Sequence, residues 1–586
     1  MFKSNMEVHN IDKNTLNISI PSADNLVLND SRRLTGPGLM WEYPGAVLDV
    51  FFHDIDTEQV IEVWNREARR VLNAIGWKNQ HIIDRRFDGG VNLAISAPMD
   101  QLYSATFAVQ TAWHFCASEL LNRQSDDFEG MVNDLQKVMA MEANPNLIKL
   151  ITAASEHGVD VLSDDDELSL GHGKGSQTWL INDLPDTDDI NWQALYDIPV
   201  ALITGTNGKT TTVRLCNAIG TASGLVAGLT STEFVRVGDD ILDHGDYSGP
   251  GGARMLLRDS RLEIAFLEVA RGGILRRGLP LRRASAALVT NVAADHLGNY
   301  GINTVEDLAL AKFSVHRTLA DDGILVLNAD DELVVSEASR TQVKLCWFSL
   351  NPNTIQIISS KSEGTPCAWL ENSSLMYFDG KQTDSVIDVQ DIPLTMGGVA
   401  QYNIRNALGA LCISRALGLD NKAIHTGLSQ FKSDPKDNPG RCNEFAVNGA
   451  RVFVDFAHNS HSISAVAGAM ASIPAKKRFV MMGIGGDRSD QAIQEATSAA
   501  LSLQPDYLVA IELESFLRGR ELGDVSRVIV EQCHKSGMSK EQIFSMGSPL
   551  EGAELILNKI QPGDLALLLI LADREKVFAL LEQLST

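Results

Sequence analysis

The sequence predicts an α/β protein built from three domains. At 586 residues the chain is too long for a single hydrophobic core, and a size of about 150 residues per domain favours three or four. Short apolar strands alternate with helical stretches from residue 196 and again after residue 443, which is typical of parallel sheets with crossover helices. We therefore predict an α+β N-terminal domain at 1–195, a central parallel-sheet domain with a phosphate loop at 196–435, and a Rossmann-like α/β domain at 436–586.

Composition and charge restrict the classes of function. Hydrophobic residues make up 44% of the chain and charged residues 21%, as in ordinary soluble globular proteins. The formal net charge of -25 argues against nucleic acid as a partner, because nucleic-acid binding needs a basic face to neutralise phosphates. The seven cysteines include no C-x-x-C pair, which predicts reduced, buried thiols rather than a disulfide framework or a structural zinc site.

Neither end of the sequence suggests a membrane protein. The opening residues, MFKSNMEVHNIDKN, lack the apolar stretch of a secretory signal. The apolar run at 565–572 is far shorter than the ~20 residues that span a bilayer. We therefore expect a cytoplasmic protein with no membrane partner.

The first 195 residues mix strand and helix patterns and show no catalytic cluster. The segment GAVLDVFF (45–52) is strand-like, and residues 56–76 carry apolar side chains at helical spacing up to a stop at Gly76. The polar stretches SDDDELSLGHGKGSQ (163–177) and DLPDTDDINW (183–192) are typical of a loop or linker. They place the first domain boundary near residue 195.

A glycine-rich loop, ITGTNGKTTT (203–212), follows the first strand of the central domain. The common G-x-x-x-x-G-K-[ST] pattern would place glycine at position 203, where this chain has Ile203. The remaining glycines let backbone N–H groups approach phosphate, Lys209 adds positive charge, and the Thr210 hydroxyl can bind Mg²⁺. The loop thus predicts a nucleotide site formed by Gly205, Thr206, Asn207, Gly208, Lys209, Thr210 and Thr211.

Two further strands end in residues that could bind a metal at the same sheet edge. Glu268 follows an apolar strand and offers a hard oxygen ligand for phosphate-bound Mg²⁺, although a solvated surface glutamate fits the pattern too. The next strand brings Asn291, Asp295 and His296 to this edge. His296 is a candidate ligand, with a structural histidine as the alternative.

The order of these motifs is similar to that of the Mur ligase superfamily. The segments GTNGKTTT, EVARGG, TNVAADHLG, GGVAQYNIRNALGA, NPGR and VDFAHN occur in that family's order. Its three-domain enzymes join an amine to a carboxylate with ATP, and the shortened loop is that family's variant. Over residues 196–586, EVARGGILRRGL, DHLGNYGI, GIGGDRSD and FLRGRELGD most resemble the Mur-ligase part of cyanophycin synthetases.

The N-terminal region extends the resemblance. SRRLTGPGLMW (31–41) is similar to the opening of cyanophycin synthetases, and LSLGHGKGSQTWLIND (168–183) resembles the segment that leads into their ATP-grasp domain. The phosphate loop follows almost at once, so the chain resembles such a synthetase without an ATP-grasp domain. The resemblance implies a homo-oligomer and allows a separate ATP-grasp protein as partner.

The family's reaction implies ATP and Mg²⁺ as cofactors. A substrate carboxylate attacks the γ-phosphorus to give an acyl phosphate and ADP, and an amino acid then displaces phosphate, extending a peptide or polymer. The resemblance assigns the charge at the phosphates to Lys209, one Mg²⁺ to Thr210 with Glu268, and a second Mg²⁺ to His296. It also makes Lys312 a candidate carbamylated lysine, with an ordinary helix-surface lysine as the alternative.

The same resemblance extends the nucleotide site into two further regions. Asn403 and Asn406 match the nucleotide-contacting pair, although helix capping would also explain them. Arg441 would reach the phosphates, while Asp455 and His458 would meet the ribose and neighbouring phosphate. Their participation requires the C-terminal domain to close over the central one.

The expected acceptor side rests on less specific patterns. Arg271, Arg276 and Arg277 form a cluster that could bind a carboxylate-bearing substrate, or be a solvated basic turn. Asp487 and Asp490 are candidates for the cationic groups of the incoming amino acid.

Two other functions stay open at this point. One is a non-catalytic nucleotide-binding scaffold or regulatory subunit of a split ATP-grasp/Mur-ligase synthetase. The other is a ligase of the peptidoglycan or folylpolyglutamate type.

Overall fold

The computed structural model describes residues 11–12 and 14–585. The prediction that the opening residues carry no signal-like stretch falls largely on residues 1–10 and 13, which lie outside the described residues. Within the described part of the chain, no helix is both long and apolar enough to cross a membrane.

The N-terminal region begins with an antiparallel sheet in the order β1-β2-β4-β3. Helices α1 and α2 cover one face of the sheet and bury Trp64 and Trp113 completely. Gly76 has φ 85°, the left-handed conformation that commonly ends a helix, so the predicted strand at 45–52 and the predicted helix before Gly76 are confirmed. The elements are β1 (Leu26–Leu34), β2 (Gly45–Phe52), α1 (Thr57–Ala74), β3 (Ile82–Phe87), β4 (Gly90–Ser96), α2 (Leu102–Leu120) and α3 (Phe128–Glu142).

The predicted loop over 163–177 is wrong, because that segment contributes to a small antiparallel sheet. Leu168 and Leu170 alternate with polar residues and are fully buried against the following turns and the preceding helix. The high polar content conceals this two-residue period, which is the actual strand signal. The elements are α4 (Pro145–Glu156), β5 (Val161–Ser163), β6 (Glu167–Leu170) and β7 (Gln177–Leu180).

The central region contains an eleven-stranded sheet in the order β11-β10-β9-β12-β8-β13-β14-β15-β16-β17-β18. The strands from β9 to β16 in this order run parallel, and antiparallel strands extend both edges. The strands are β8 (Val200–Thr204), β9 (Ala227–Thr230), β10 (Phe234–Val237), β11 (Asp240–His244), β12 (Ile264–Glu268), β13 (Ala284–Val289), β14 (Leu319–Asn328), β15 (Lys344–Ser349), β16 (Cys367–Glu371), β17 (Ser374–Phe378) and β18 (Thr383–Asp388).

Helices cover both faces of this sheet, each over its own apolar cluster. Because β8 lies between β12 and β13, the residues that follow these three parallel strands meet at one sheet edge. The helices are α5 (Lys209–Ala222), α6 (Pro250–Leu257), α7 (Arg271–Arg277), α8 (Val305–Phe313), α9 (Glu332–Ala338), α10 (Ile355–Glu363), α11 (Gln401–Ala416) and α12 (Asn421–Gln430).

The C-terminal region forms a six-stranded sheet in the order β19-β20-β24-β21-β22-β23, parallel except for β19. The alternation of strands and helices predicted after residue 443 is present, and the seven cysteines are free and buried, as expected. The elements are β19 (Asn443–Val447), β20 (Ala450–Asp455), α13 (Ser460–Ala471), β21 (Arg478–Met482), α14 (Asp490–Leu501), β22 (Tyr507–Ile511), α15 (Asp524–Lys535), β23 (Ile543–Met546), α16 (Pro549–Lys559), β24 (Leu565–Leu569) and α17 (Arg574–Leu584).

The predicted α/β class with two parallel sheets is thus confirmed. The proposed domain limits at 195 and 436 fall between sheets and stay predictions.

Candidate active site

The phosphate loop lies between β8 and α5, where two glycines are required by close contacts. Gly208 has φ 85°, and a Cβ there would lie 2.3 Å from Oδ1 of Asn406. A Cβ on Gly205 would lie 1.8 Å from Oγ1 of Thr290. No other residue fits either position without moving its neighbours. The loop therefore brings backbone N–H groups at the start of α5 to the open sheet edge.

Asn291, which follows β13, fixes the shape of the loop through three hydrogen bonds. Its carbonyl oxygen accepts from the N–H of Thr206 at 2.9 Å, and its Oδ1 accepts from the N–H of Asn207 at 3.0 Å. Its Nδ2 donates to the carbonyl oxygen of Asn207 at 2.9 Å. The loop is therefore held in place by the neighbouring strand rather than by α5 alone.

A first cavity of about 320 Å³ opens over this loop. It is bordered by the sheet edge, α11 and the C-terminal region. The structure brings together in its lining most of the residues predicted for the nucleotide and for Mg²⁺: Thr206, Asn207, Gly208, Lys209, Thr210, Thr211, Glu268, Asn403, Asn406, Arg441, Asp455 and His458.

A second cavity of about 590 Å³ lies beside the first and contains the remaining predicted residues, Gly205, His296 and Lys312. The two cavities share part of their lining, namely Thr206, Lys209, Thr232, Phe456 and His458. Lys209 thus stands at the junction, where its Nζ donates to the carbonyl oxygen of Thr206 at 2.9 Å.

Glu268 ends β12 as a buried carboxylate, with only 2% of its surface exposed. Its Oε2 has no hydrogen-bond partner among the described residues. Burial raises the pKa of Glu268, and nearby Lys209, Thr210 and Arg441 only partly oppose this effect. An unpartnered buried carboxylate oxygen beside the Thr210 hydroxyl fits a Mg²⁺ ligand set. Because Glu268 is buried, the alternative of a solvated surface glutamate is wrong.

His296 belongs to a second candidate metal group, together with Asp295 and His458. One ligand atom from each lies within 4.8 Å of the others. Burial lowers the pKa of His296 to about 4, so its imidazole is neutral and available as a ligand at neutral pH. Nε2 of His458 lies 3.8 Å from Oδ2 of Asp295, which places His458 between the two cavities rather than at the nucleotide alone.

Lys312 is buried in α8 with 3% of its surface exposed, so the alternative of an ordinary surface lysine is wrong. Its Nζ donates to the carbonyl oxygen of Gly205 at 2.7 Å. Burial, reinforced by the neighbouring charge of Lys209, lowers the pKa of Lys312 well below its ordinary value. Lys312 therefore lines the second cavity as a buried amine whose surroundings favour the neutral form.

Asn403 and Asn406 lie buried on α11 under the phosphate loop. Nδ2 of Asn406 donates to Oδ1 of Asn403 at 3.1 Å, and Nδ2 of Asn403 donates to the carbonyl oxygen of Leu394 at 2.9 Å. The residue that caps α11 is Ala400, so neither asparagine serves as the helix cap. Oδ1 of Asn406 instead lies close against Gly208 in the phosphate loop.

The C-terminal region is in contact with the central one across both cavities. Arg441 stacks over the Phe456 ring at 4.6 Å and donates to Oγ1 of Thr210 at 3.4 Å. Asp455 lies at the end of β20, where burial raises its pKa. The C-terminal region thus lies against the central one in the closed arrangement that the predicted roles of Arg441 and Asp455 require.

Two residues that sequence reasoning did not select complete this contact. Nδ2 of Asn459 donates to Oδ1 of Asn207 at 3.0 Å, and NH2 of Arg488 donates to Oδ1 of Asp295 at 2.8 Å. Both lie in motifs already singled out, VDFAHN and GGDRSD. Their position in the loops that follow the parallel strands β20 and β21 was the signal that could have identified them.

The predicted acceptor residues are only partly brought together. Arg271, Arg276 and Asp487 line the second cavity, but Arg277 and Asp490 do not. Successive residues of a helix point about 100° apart, and the side chain of Arg277 donates to the carbonyl oxygen of Arg33 in the N-terminal region. Asp490 instead binds NH1 of Arg520 at 2.7 Å.

Basic side chains predominate in the second cavity. The acidic ones are Asp246, Asp295 and Asp487. The cationic ones are Lys209, Arg271, Arg276, Arg488 and Arg518, apart from the buried amine of Lys312. Since arginines stay protonated, this cavity favours an anionic ligand.

Comparison with known proteins agrees with this geometry. Residues 203–414 match the Mur ligase middle domain, and residues 440–569 match the glutamate ligase domain of Mur ligases. The cyanophycin synthetase of Trichormus variabilis is 37% identical over 334 residues, which are 57% of this chain and 37% of that protein. That of Crocosphaera subtropica is 36% identical over 371 residues, which are 63% of this chain and 42% of that protein.

A more distant relative is the UDP-N-acetylmuramoyl-L-alanyl-D-glutamate--2,6-diaminopimelate ligase of Chlorobaculum tepidum. It is 28% identical over 370 residues, 59% of this chain and 69% of that protein. The chain spans about two fifths of the length of the cyanophycin synthetases that it matches. The two matched domains, which contain the phosphate loop and all residues lining the two cavities except Leu571, show that the chain belongs to the Mur ligase superfamily.

Proposed function

We propose that the protein is an ATP-dependent, ADP-forming amide ligase that joins an amino acid to a carboxylate of a peptide or polymer. The observation that carries the proposal is the junction of the two cavities at Lys209. The first cavity has the loop and the buried carboxylate of a nucleotide site, and the second has an excess of basic side chains. A carboxylate bound in the second cavity would therefore meet the terminal phosphate beside Lys209.

The reaction has two steps in this proposal. A carboxylate oxygen attacks the γ-phosphorus, forming an acyl phosphate while ADP leaves. The amine nitrogen then attacks the acyl carbon, phosphate leaves from the tetrahedral intermediate, and the amine proton passes to solvent. Because the first step brings two anions together, the chain's contribution is positive charge from Lys209 and from the N–H groups at the start of α5.

Thr210 and Glu268 would hold one Mg²⁺, and Asp295 with His296 would hold a second. When bound, these ions supply positive charge to the phosphate oxygens. The unpartnered Oε2 of Glu268 and the neutral imidazole of His296 support these roles.

Lys312 is proposed to carry a carbamate. Its depressed pKa favours the neutral amine, which adds to CO₂ with loss of one proton. Protein exchanged into ¹³C-bicarbonate should show a carbamate carbon signal that Lys312→Met lacks. A wild-type spectrum without that signal would leave Lys312 as an unmodified amine.

The contacts between the central and C-terminal regions would protect the acyl phosphate. Asn207 lies on the wall of the first cavity and the Arg488–Asp295 pair on that of the second, and the hydrogen bond from Asn459 to Asn207 joins the two regions beside the first cavity, so these contacts would restrict access of water. Exclusion of water matters because acyl phosphates hydrolyse readily in its presence.

The direct test incubates the protein with ATP, Mg²⁺, a panel of acidic peptides and amino acids including arginine. We expect equal release of ADP and phosphate together with a peptide heavier by one residue. Hydroxylamine added before the amino acid should give a hydroxamate at the activated carboxylate. Absence of turnover across the panel, with folded protein that binds ATP, would argue for the non-catalytic scaffold, as would full function of Lys209→Ala in the host.

We also propose that an ATP-grasp protein works with this chain. Residues 181–199, between the small sheet and β8, contain only short turns, at the point where the resemblance expects an ATP-grasp domain. Co-purification of an ATP-grasp protein from the native host would support this pairing, and polymerisation by the isolated chain would contradict it. Homo-oligomerisation stays a prediction that light scattering would test.

A further inference from the structure

A row of hydrogen-bonded polar side chains crosses the face of the N-terminal sheet that α1 and α2 leave uncovered. NH1 of Arg32 on β1 donates to Oδ2 of Asp49 on β2, and Nδ2 of Asn92 on β4 donates to Oδ1 of the same carboxylate at 2.6 Å. NH1 of Arg85 on β3 then donates to Oδ1 of Asn92 at 2.7 Å. Asp49 lies opposite Asn92, and Asn92 opposite Arg85, so the row is continuous across the sheet.

Both ends of this polar row bind the central region. At one end, Nε of Arg32 donates to the carbonyl oxygen of Leu275 in α7 at 2.9 Å. At the other, NH2 of Arg85 donates to the carbonyl oxygen of Gly301 at 2.8 Å and to Oδ1 of Asp307 in α8 at 2.9 Å. One face of the N-terminal sheet therefore forms hydrogen bonds both to α7 and to the start of α8.

These two helices carry residues of the second cavity. Arg271 and Arg276 lie on α7 and Lys312 lies on α8, while His296 belongs to the loop that leads into α8. None of the residues of the polar row lines either of the two cavities. Any effect of the row on the cavity must therefore pass through the position of α7 and α8.

The buried hydrogen bonds of the polar row favour a role in fixing the orientation of the N-terminal sheet over a role in merely holding it to the central region. Asp49 is fully buried and Arg32 is 8% exposed, and charged groups in such an environment are tolerated only when their hydrogen bonds are satisfied in specific directions. Close backbone contact adds to this constraint, because a Cβ on Gly36 would lie 2.3 Å from the carbonyl oxygen of Leu279. The N-terminal sheet thus packs on the central region in one well-defined orientation.

We propose that the N-terminal domain is a positioning platform for the second cavity, with Arg32, Asp49, Asn92 and Arg85 setting the placement of α7 relative to α8. The expected effect of the polar row on acceptor binding rests on the proposed ligase function. Its expected effect on the local stability of α7 and α8 is independent of that function.

The test that is independent of activity is amide hydrogen exchange of the full chain. Arg85→Ala removes the link to α8, and the double variant Arg32→Met with Asp49→Leu removes the link to α7 without leaving one buried charge unpaired. Arg85→Lys keeps the charge but lacks the second donor arm, and serves if Arg85→Ala does not fold. The matched control is Arg86→Ala, since Arg86 is the next residue on β3 and pairs with Glu58 at the surface.

Exchange should become about tenfold faster in 299–313 for Arg85→Ala and in 271–277 for the double variant, as expected for loss of a charge-assisted hydrogen bond. Exchange in α5 and in the C-terminal region should stay unchanged, as should affinity for ATP. Uniformly faster exchange throughout the chain, or unchanged exchange in both helices, would overturn the proposal.

A kinetic comparison adds the functional consequence. With the acidic peptide that gives turnover, the KM for the peptide should rise roughly tenfold in either variant while the KM for ATP is unchanged. An equal rise in both KM values would contradict a role confined to the second cavity. Lack of turnover by the wild-type protein would count against the ligase function. The hydrogen-exchange experiment would still test whether the polar row sets the placement of α7 and α8.

Discussion

The two cavities that meet at Lys209 are constructed in different ways. The first is shaped by backbone, because its loop is held by Asn291 and closed by glycines that contact Thr290 and Asn406. The second is shaped by side chains from α7, α8 and the C-terminal region, and the helices themselves rest on the N-terminal sheet. Nucleotide binding should therefore be robust to distant changes, whereas acceptor binding should depend on how three regions are placed.

The largest effect is expected at the junction. Lys209→Ala removes the positive charge that faces both cavities, and we expect kcat to fall about 10²-fold to 10³-fold, as for loss of a group that stabilises transition-state charge. ADP release measures the loss. The control is Lys174→Ala, because Lys174 is an exposed lysine paired with Glu263 away from both cavities. A similar loss in both variants would show that the junction has no special role.

Replacement of Arg488 should affect ligand binding in the second cavity and leave the first unaffected. Arg488→Ala removes a cation that binds Asp295 in the second cavity, and we expect the KM for the acidic peptide or the amino acid to rise about 10-fold to 100-fold. The KM for ATP should change little. Arg527→Ala is the control, since Arg527 is exposed and pairs with Glu531 within α15. A rise confined to the KM for ATP would reverse the assignment of the cavities.

Replacement of Glu268 in the first cavity should stabilise the free protein and weaken its binding of Mg²⁺ with ATP. Glu268→Gln replaces a buried carboxylate, which should raise the free energy of unfolding without ligand by about 1 kcal/mol and weaken stabilisation by Mg²⁺ with ATP. Thermal unfolding with and without Mg²⁺-ATP measures both effects. Equal stabilisation of the two proteins by Mg²⁺-ATP would remove Glu268 from the metal site.

The same comparison has a defined pH dependence. Because the pKa of Glu268 is raised in the folded protein above its ordinary 4.5, the folded state binds more protons, and wild-type stability falls as pH rises through this window. The advantage of Glu268→Gln should therefore increase from about pH 4.5 upward and level off above the raised pKa of Glu268. An advantage that decreases with rising pH would contradict the buried carboxylate.

The smallest effect is expected on α7. Arg276→Ala should raise the KM for an acidic acceptor only a few-fold, because this arginine is exposed and surface charges contribute little. Arg277→Ala should leave it unchanged, since Arg277 faces the N-terminal region. The neighbouring pair thus tests which face of α7 belongs to the second cavity.

Much of the first cavity could be predicted from the sequence, because its residues lie in short motifs at the ends of strands. Gly208, Lys209 and Glu268 are examples, since parallel topology brings strand ends together. The second cavity was harder to predict. Whether Arg276 or Arg277 faces the cavity depends on helix rotation, and the selection of Arg488 depends on how the central and C-terminal regions meet.

The N-terminal region shows a different reason for failure. The strands within 163–180 have a clear alternation at Leu168 and Leu170, but acidic residues around them obscure it. The polar row could not be foreseen, because Arg32 and Asp49 become neighbours only through the pairing of β1 with β2 and the docking of that sheet on α7.

The excess of basic side chains in the second cavity stands within a chain of net charge -25, so it is a local reversal of the overall field. A polyanionic acceptor would be repelled at long range and attracted at short range. The Debye length shortens from about 30 Å at 0.01 M ionic strength to about 8 Å at 0.15 M, which screens the distant repulsion more than the close attraction. Moderate salt should therefore accelerate acceptor association in stopped-flow experiments, whereas most charged pairs associate more slowly as salt is added.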